Sequence, residues 1–173
     1  LDLGSGGGGA EYSHPGAGGG MIRFAVRDEF HLDGVVSADG EGASHSAGGG
    51  SGGSILVEAG LLSGSGVFRA QGGGTPEGAG GGGGGRIAVY YDRSDYTGQS
   101  SCSVTGAGGG GEGTLAFIDR SVPASALEVY HRLAFPTGSS PRWGEVRVHP
   151  GGLLVLGTDA QLTVDRDLEI ASG

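Results

Sequence analysis

The sequence predicts an all-β protein folded as a right-handed parallel β-solenoid with glycine-rich corners. Glycine supplies 43 of 173 residues, against a usual share of roughly 7%. Hydrophobic residues still make up 36% of the chain, and they fall in short clusters between the glycine runs. A small-residue signature recurs along the chain, and no helical period of useful length appears. The handedness follows from the crossover rule for parallel strands.

The recurring signature is an alanine followed by a run of glycines. The four copies lie roughly 30 residues apart and are marked by Ala17, Ala47, Ala79 and Ala107. Each run leads into a short apolar strand, and these strands begin at Ile22, Ile55, Ile87 and Leu115. One unit cannot bury its own apolar face, whereas stacked units can. We therefore expect the four strand-starting residues to lie in one column. The glycine runs themselves suit sharp corners or an extended polyproline II path.

The last third of the chain has a different sequence pattern. A less regular stretch with three prolines covers 121–142, and shorter apolar clusters then follow at Val146, Leu154, Leu162 and Leu168. We expect three parts. These are a glycine-rich solenoid over 1–120, an irregular connection over 121–142, and a shorter-rung solenoid over 143–173 that continues beyond this segment.

The charge balance is acidic. The formal net charge is −9, with 19 acidic residues against 10 basic ones. This balance argues against nucleic acid and anionic membranes as partners, and no apolar stretch is long enough for a membrane span. The single Cys102 provides no internal disulfide framework, so it is either a buried thiol or paired outside the segment.

One stretch resembles a known repeat. Residues 81–92 read Gly-Gly-Gly-Gly-Gly-Arg-Ile-Ala-Val-Tyr-Tyr-Asp, and related glycine runs lie at 49–55 and 110–115. These runs resemble a glycine-rich repeat of very large surface proteins, including proteins of algal flagellar hairs (mastigonemes). The resemblance covers roughly residues 4–119, and the tail from Trp143 resembles adhesin-type rungs. It implies a parallel β-helix in a long extracellular chain that is filamentous or adhesive.

No cofactor is expected. A calcium-binding solenoid repeat needs Asp at its sixth place, and the run 49–54 has Ser there. Isolated loop calcium remains open at Asp39, Glu41, Asp92 and Asp95. His14 and His45 share a repeat position with Glu77, which favours a solvent-facing ladder over a metal site because a further ligand is not evident.

A candidate contact surface follows the third apolar strand. Aromatic rings supply contact area and neighbouring acids and arginines supply hydrogen bonds, as at sugar-binding and subunit surfaces. The residues are Tyr90, Tyr91, Asp92, Arg93 and Tyr96, with Trp143 as a separate addition. The competing interpretation is a corner in which one tyrosine packs inward and the others cap a turn.

The functional prediction is a non-catalytic structural segment of a large extracellular or cell-surface filament or adhesin. Its expected partners are further subunits or segments of the same kind, and glycans. The acids Asp165, Asp167 and Glu169 alternate with apolar residues, so they read as the solvated face of a strand. The alternative is a polysaccharide-binding or polysaccharide-cleaving β-helix with a groove of acids and aromatics.

Overall fold

The computed structural model describes residues 2–9, 11–75 and 79–171, which form strands and extended chain with one short 3-10 turn at Gln99–Ser101. The described strands are β1 (Met21–His31), β2 (Val35–Ser37), β3 (Ser54–Ser63), β4 (Val67–Arg69), β5 (Arg86–Ser94), β6 (Thr114–Asp119), β7 (Ala126–Val129), β8 (Arg132–Phe135), β9 (Arg142–Val148), β10 (Leu153–Leu156) and β11 (Thr163–Ile170). The chain is therefore rich in β-structure, as expected. Strands β7 and β8 lie within 121–142, where an irregular connection was expected.

The prediction of a parallel β-solenoid is wrong. Seven strands form one mixed sheet in the order β1-β3-β5-β6-β7-β9-β11, and two small parallel sheets pair β2 with β4 and β8 with β10. Strands β6 and β7 pair antiparallel. The chain reverses in the turn 120–125, where Ala124 and Ser125 adopt positive φ angles of 61° and 57°. This reversal breaks the coil that the glycine repeats had suggested.

The expected column of strand-starting residues is confirmed. Ile22 pairs with Ile55, Ile55 with Ile87, and Ile87 with Leu115. We call the side of the large sheet that carries this column face 1, and the opposite side face 2. Paired residues on neighbouring strands share a face, and successive residues along a strand alternate between faces. The pairing therefore assigns residues of the large sheet to one face or the other, except near the register shifts in β1 and β11.

The apolar side of the sheet changes at the antiparallel pair. On face 1, Phe117 of β6 pairs with Glu128 of β7. The apolar residues on this face therefore end at β6, and charged residues follow on β7. On face 2, Ile118 pairs with Leu127, and Leu127 continues to Val146. Two hydrophobic cores result. The first lies on face 1 under β2 and β4, and the second lies on face 2 against β8 and β10.

The glycine runs pack with a period of three. Gly81 and Gly84 donate backbone hydrogen bonds to the carbonyls of Gly108 and Gly111. The same spacing recurs where Gly49 and Gly52 donate to the carbonyls of Gly80 and Gly83. A polyproline II helix has three residues per turn and no internal hydrogen bonds, so every third amide can reach the same neighbour. The threefold spacing of these bonds is the spacing of a polyproline II path, but Gly108 and Gly109 depart from that path with positive φ angles of 51° and 86°.

Candidate functional site

A network of buried charges lies on face 1, across β7, β9 and β11. Glu128 and Glu145 are only 6% and 7% exposed. Arg147 joins them, because its Nη1 donates to Glu128 Oε1 at 2.6 Å and its Nη2 donates to Glu145 Oε2. We call this network, together with His149 and Arg166, the charged ladder.

The outer members of the charged ladder complete its pairing. His149 Nε2 lies 2.5 Å from Glu128 Oε2, and Arg166 Nη2 lies 2.7 Å from Glu145 Oε1. All four carboxylate oxygens therefore have a cationic or imidazole partner. The hydrogen bond to Glu128 is the main cause that raises the pKa of Arg147 above its ordinary value. Removing one member of such a buried network leaves an uncompensated charge, so we expect each member to be needed for the others to stay buried.

An aromatic contact anchors the charged ladder to the first core. The ring of Tyr130 stacks on His149 with centroids 3.9 Å apart, and it meets Phe117 edge-on at 5.8 Å. Burial raises the pKa of Tyr130 above its ordinary value. Within the described residues, no group of three or more His, Cys, Asp and Glu side chains is arranged to hold a metal ion.

A groove of about 410 Å³ lies on face 2, over β1, β3 and β5. The pairing of β1 with β3 shifts register between Val26 and Glu29, which opens the surface there. Gly60 forms the floor, since a Cβ at this position would lie 2.4 Å from the carbonyl oxygen of Arg27. We call it the arginine groove. The side chains that surround Gly60 in this groove are Arg27, Glu58, Asp92 and Arg120. An adjoining groove of about 460 Å³ shares Arg27, Gly60 and Asp92 and adds Arg93, and the name covers both grooves.

Arg120 links β5 and β3 across the groove through two hydrogen bonds. Arg120 donates from Nε to Asp92 Oδ1 and from Nη2 to the carbonyl of Ala59, each at 3.0 Å. At the rim, Arg23 forms an ion pair with Glu58 at 2.9 Å. The groove therefore offers both guanidinium donors and carboxylate acceptors to solvent.

The structure divides the candidate contact surface. Tyr91 and Tyr96 are only 8% and 4% exposed, so their side chains face the core instead of solvent. Tyr91 follows Ile87 and Val89 on face 1, so strand alternation carries it into the first core. Tyr96 donates its hydroxyl to the carbonyl of Gly66 at 2.7 Å. Burial is the main cause that raises the pKa of both tyrosines.

The remaining candidate residues lie near two different features. Asp92 and Arg93 line the arginine groove, and Tyr90 is half-buried on face 2. Trp143 packs against the second core from β9, and strands β6 and β7 lie between β9 and β5 in the sheet. The structure thus places Asp92 and Arg93 together and keeps Trp143 apart from them.

The histidine pair and the cysteine have simple environments. The backbone N of His14 donates to Ser44 Oγ at 3.1 Å, beside the exposed His45. Glu77, the third expected member of that ladder, lies outside the described residues. Cys102 is buried and free, with its Sγ 3.3 Å from the Tyr96 hydroxyl oxygen.

Sequence reasoning missed the charged ladder. The signal was present, because Glu128 interrupts the apolar run 126–129 and Arg147 stands between Val146 and Val148. An isolated charge within a short apolar strand indicates either a solvated face or a buried pair. The sequence alone could not distinguish the two, since the partners come from strands whose pairing was unknown.

Comparison with known protein families, with curated proteins and with solved structures finds no match to this chain. In the part of the chain that the structure describes, no helix has the length and apolar character needed to cross a membrane.

Proposed function

We propose that this chain is a non-catalytic structural segment of a large extracellular filament or surface protein, and that it acts through self-assembly. One observation carries the proposal. Large apolar side chains stay exposed at both ends of the sheet. They are Met21 and Val35 on β1 and β2, and Leu153, Leu156, Leu168 and Ile170 on β10 and β11.

The exposed side chains coincide with free strand edges. Within the described residues, β1 pairs with β3 alone and β11 pairs with β9 alone. A free edge presents unpaired N–H and C=O groups that template further strand pairing. Contiguous exposed apolar surface is typical of an interaction site. Together these features favour association through the sheet ends.

The burial of Glu128 and Glu145 supports a structural role, because a catalytic acid or base must lie within hydrogen-bond reach of a substrate. The extracellular or cell-surface location is part of the proposal. It rests on the likeness of the glycine-rich repeats to those of large surface proteins.

Light scattering over a dilution series, followed by electron microscopy, tests the proposal. We expect association that grows with concentration, and we expect Ile170→Lys to weaken it. Leu3→Lys is a matched control, because Leu3 and Ile170 are 72% and 70% exposed but only Ile170 lies on a free strand edge. A chain that stays monomeric at all concentrations would contradict self-assembly.

The arginine groove supports a second candidate function, polysaccharide binding. Its guanidinium groups match carboxylates of acidic sugars, and its acids match hydroxyl groups. Titration with uronic acid oligosaccharides should shift amide signals around Gly60, and the double variant Arg27→Gln/Arg93→Gln should lose that response. Arg132→Gln, on β8, is the control. Release of reducing ends during incubation would indicate cleavage rather than binding alone.

A further inference from the structure

We propose that copies of this chain join head to tail, with β11 of one copy pairing in parallel with β1 of the next. This inference rests on the self-assembly proposed above. It adds the identity of the partner surface, the direction of the strands and the residue register.

Strand direction fixes how the second copy must be placed. Strands β1, β3, β5 and β6 run one way, and β7, β9 and β11 run the other, because β6 and β7 pair antiparallel. For its β1 to lie parallel beside β11, the second copy must turn by half a revolution about an axis in the sheet plane. That rotation places face 1 of the second copy on the side of face 2 of the first.

The rotation aligns the two apolar faces. At β11, the apolar residues Leu168 and Ile170 lie on face 2, in register with Val146 and Val148. At β1, the apolar residues Ile22 and Phe24 lie on face 1 and pack against the first core. Antiparallel docking of the same two strands would keep face 1 beside face 1. It would then place the apolar residues of β1 beside Asp167 and Glu169.

The charges specify the register. The face 1 column runs Glu128, Arg147, Glu169, with alternating sign. Pairing Glu169 with Arg23 of the next copy continues that alternation. Leu168 then pairs with Ile22 of the next copy, and Ile170 with Phe24. Opposite charges on directly paired residues stabilise strand pairing and like charges oppose it.

The same charges disfavour the symmetric alternative. In that alternative, two copies of β11 pair antiparallel across a twofold axis, and Leu168 of one copy lies opposite Leu168 of the other. Asp167 of each copy would then lie opposite Glu169 of the other. These are like charges in direct cross-strand contact. Acidic residues on an edge strand are a known means of preventing self-pairing. The β1 edge carries Arg23 instead, with its side chain 60% exposed.

The smaller sheets match as well. Strand β10 covers the second core on face 2, and β2 covers the first core on face 1. After the second copy is rotated by half a revolution, β10 of the first copy and β2 of the second lie on the same side of the combined sheet. Their exposed residues, Leu153 and Leu156 on β10 and Val35 on β2, would then meet. One interface accounts for the apolar exposure at both ends.

Disulfide trapping tests the register directly. Neighbouring strands lie about 4.8 Å apart, which is within the Cα separation that a disulfide spans. A mixture of Glu169→Cys and Arg23→Cys chains should yield about tenfold more covalent dimer than either variant alone. Met21→Cys mixed with Glu169→Cys is the off-register control, since a two-residue offset places the Cα atoms too far apart.

The outcomes separate this inference from the proposed function. If the wild-type chain does not associate, both are wrong. If it associates but the mixture gives no excess of covalent dimer over the control, the head-to-tail register is wrong and self-assembly stands. Covalent dimer from Glu169→Cys alone would indicate the symmetric β11 contact and would also overturn the register. Circular dichroism of each variant confirms folding, since both substituted positions are exposed.

Discussion

Tyr96 joins two turns of the first core through one hydroxyl group. The hydroxyl donates to the carbonyl of Gly66 at 2.7 Å and lies 3.3 Å from Cys102 Sγ. Tyr96→Phe should lower the free energy of unfolding by about 1 kcal/mol, since it removes a buried hydrogen bond while keeping the ring. Urea unfolding measures the change. Tyr12→Phe is the control because Tyr12 is 92% exposed, and equal losses in both variants would contradict this account.

Cys102 should be unreactive in the folded protein. Burial is the main cause that raises the pKa of its thiol above the ordinary 9.0, so the reactive thiolate is scarce at neutral pH. A thiol-specific reagent should label the chain slowly under native conditions and rapidly in denaturant. Rapid native labelling would show that the thiol is reached without unfolding.

For single residues, the sequence located the cluster of aromatic and charged side chains, but it did not predict which of them are buried. It identified 90–96 as a group of aromatic and charged residues, and it left open which tyrosines point inward. The structure decides by strand alternation, since Tyr91 falls on the same face as Val89 and Tyr90 on the other. One residue of register separates a contact surface from a core, and local composition does not fix that register.

Among the chain's elements, the glycine runs make the most specific demand on sequence. A Cβ on Gly82 would lie 1.9 Å from the carbonyl oxygen of Gly50, whereas on Gly83 its nearest neighbour would be 3.5 Å away. Gly82→Ala should therefore lower the free energy of unfolding by about 3 kcal/mol, because backbone atoms must move. Gly83→Ala should change it by less than about 1 kcal/mol. Thermal unfolding distinguishes the two, and equal effects would contradict the threefold packing.

The buried ion pairs of the charged ladder should contribute more to stability than an exposed ion pair does. Glu128→Ala removes the carboxylate partner of His149 and one of the two carboxylate partners of Arg147. It should lower the free energy of unfolding by about 2–3 kcal/mol. The exposed pair of Arg142 and Asp165 is the comparison. Its loss in Asp165→Ala should lower the free energy by less than about 1 kcal/mol. Chemical denaturation of both variants checks the order, and a smaller effect for Glu128→Ala would contradict it.

The elements show where prediction from sequence stops. The repeated signature was enough to predict the column Ile22, Ile55, Ile87 and Leu115, because successive copies of a repeat place equivalent residues side by side. The antiparallel return of β7 was not predictable from that signature. It depends on the positive φ angles of Ala124 and Ser125 and on the pairing of Glu128 with Phe117. These are features of one turn that no repeat contains.

For the whole molecule, one chain of rings spans both halves of the sheet. It runs through Phe24, Phe30, Phe68, Tyr96, Phe117, Tyr130 and His149, with successive centroids 3.9 to 6.1 Å apart. Such contacts stabilise beyond the area they bury. The row of rings runs from the first core to the charged ladder, so we expect the two halves to unfold together although they bury opposite faces.

This shared packing gives the molecule a defined response to alkaline pH. The pKa values of Tyr91, Tyr96, Tyr130 and Cys102 are all raised, in each case mainly by burial. The unfolded chain releases these protons near 10.0 for tyrosine and 9.0 for cysteine, whereas the folded chain retains them. Their contribution to stability is therefore complete below about pH 9 and declines as the pH rises further.

Urea unfolding midpoints measured from about pH 8 upward should stay level at first and then fall steeply. Phenolate absorbance of these tyrosines should appear together with unfolding, since burial disfavours their ionised forms in the folded state. The variant Tyr96→Phe removes one of the titrating groups, so its midpoint should fall less steeply with pH than that of the wild type. A midpoint that stays constant through strongly alkaline pH, or phenolate absorbance of these tyrosines in a folded chain, would show that they are accessible to solvent.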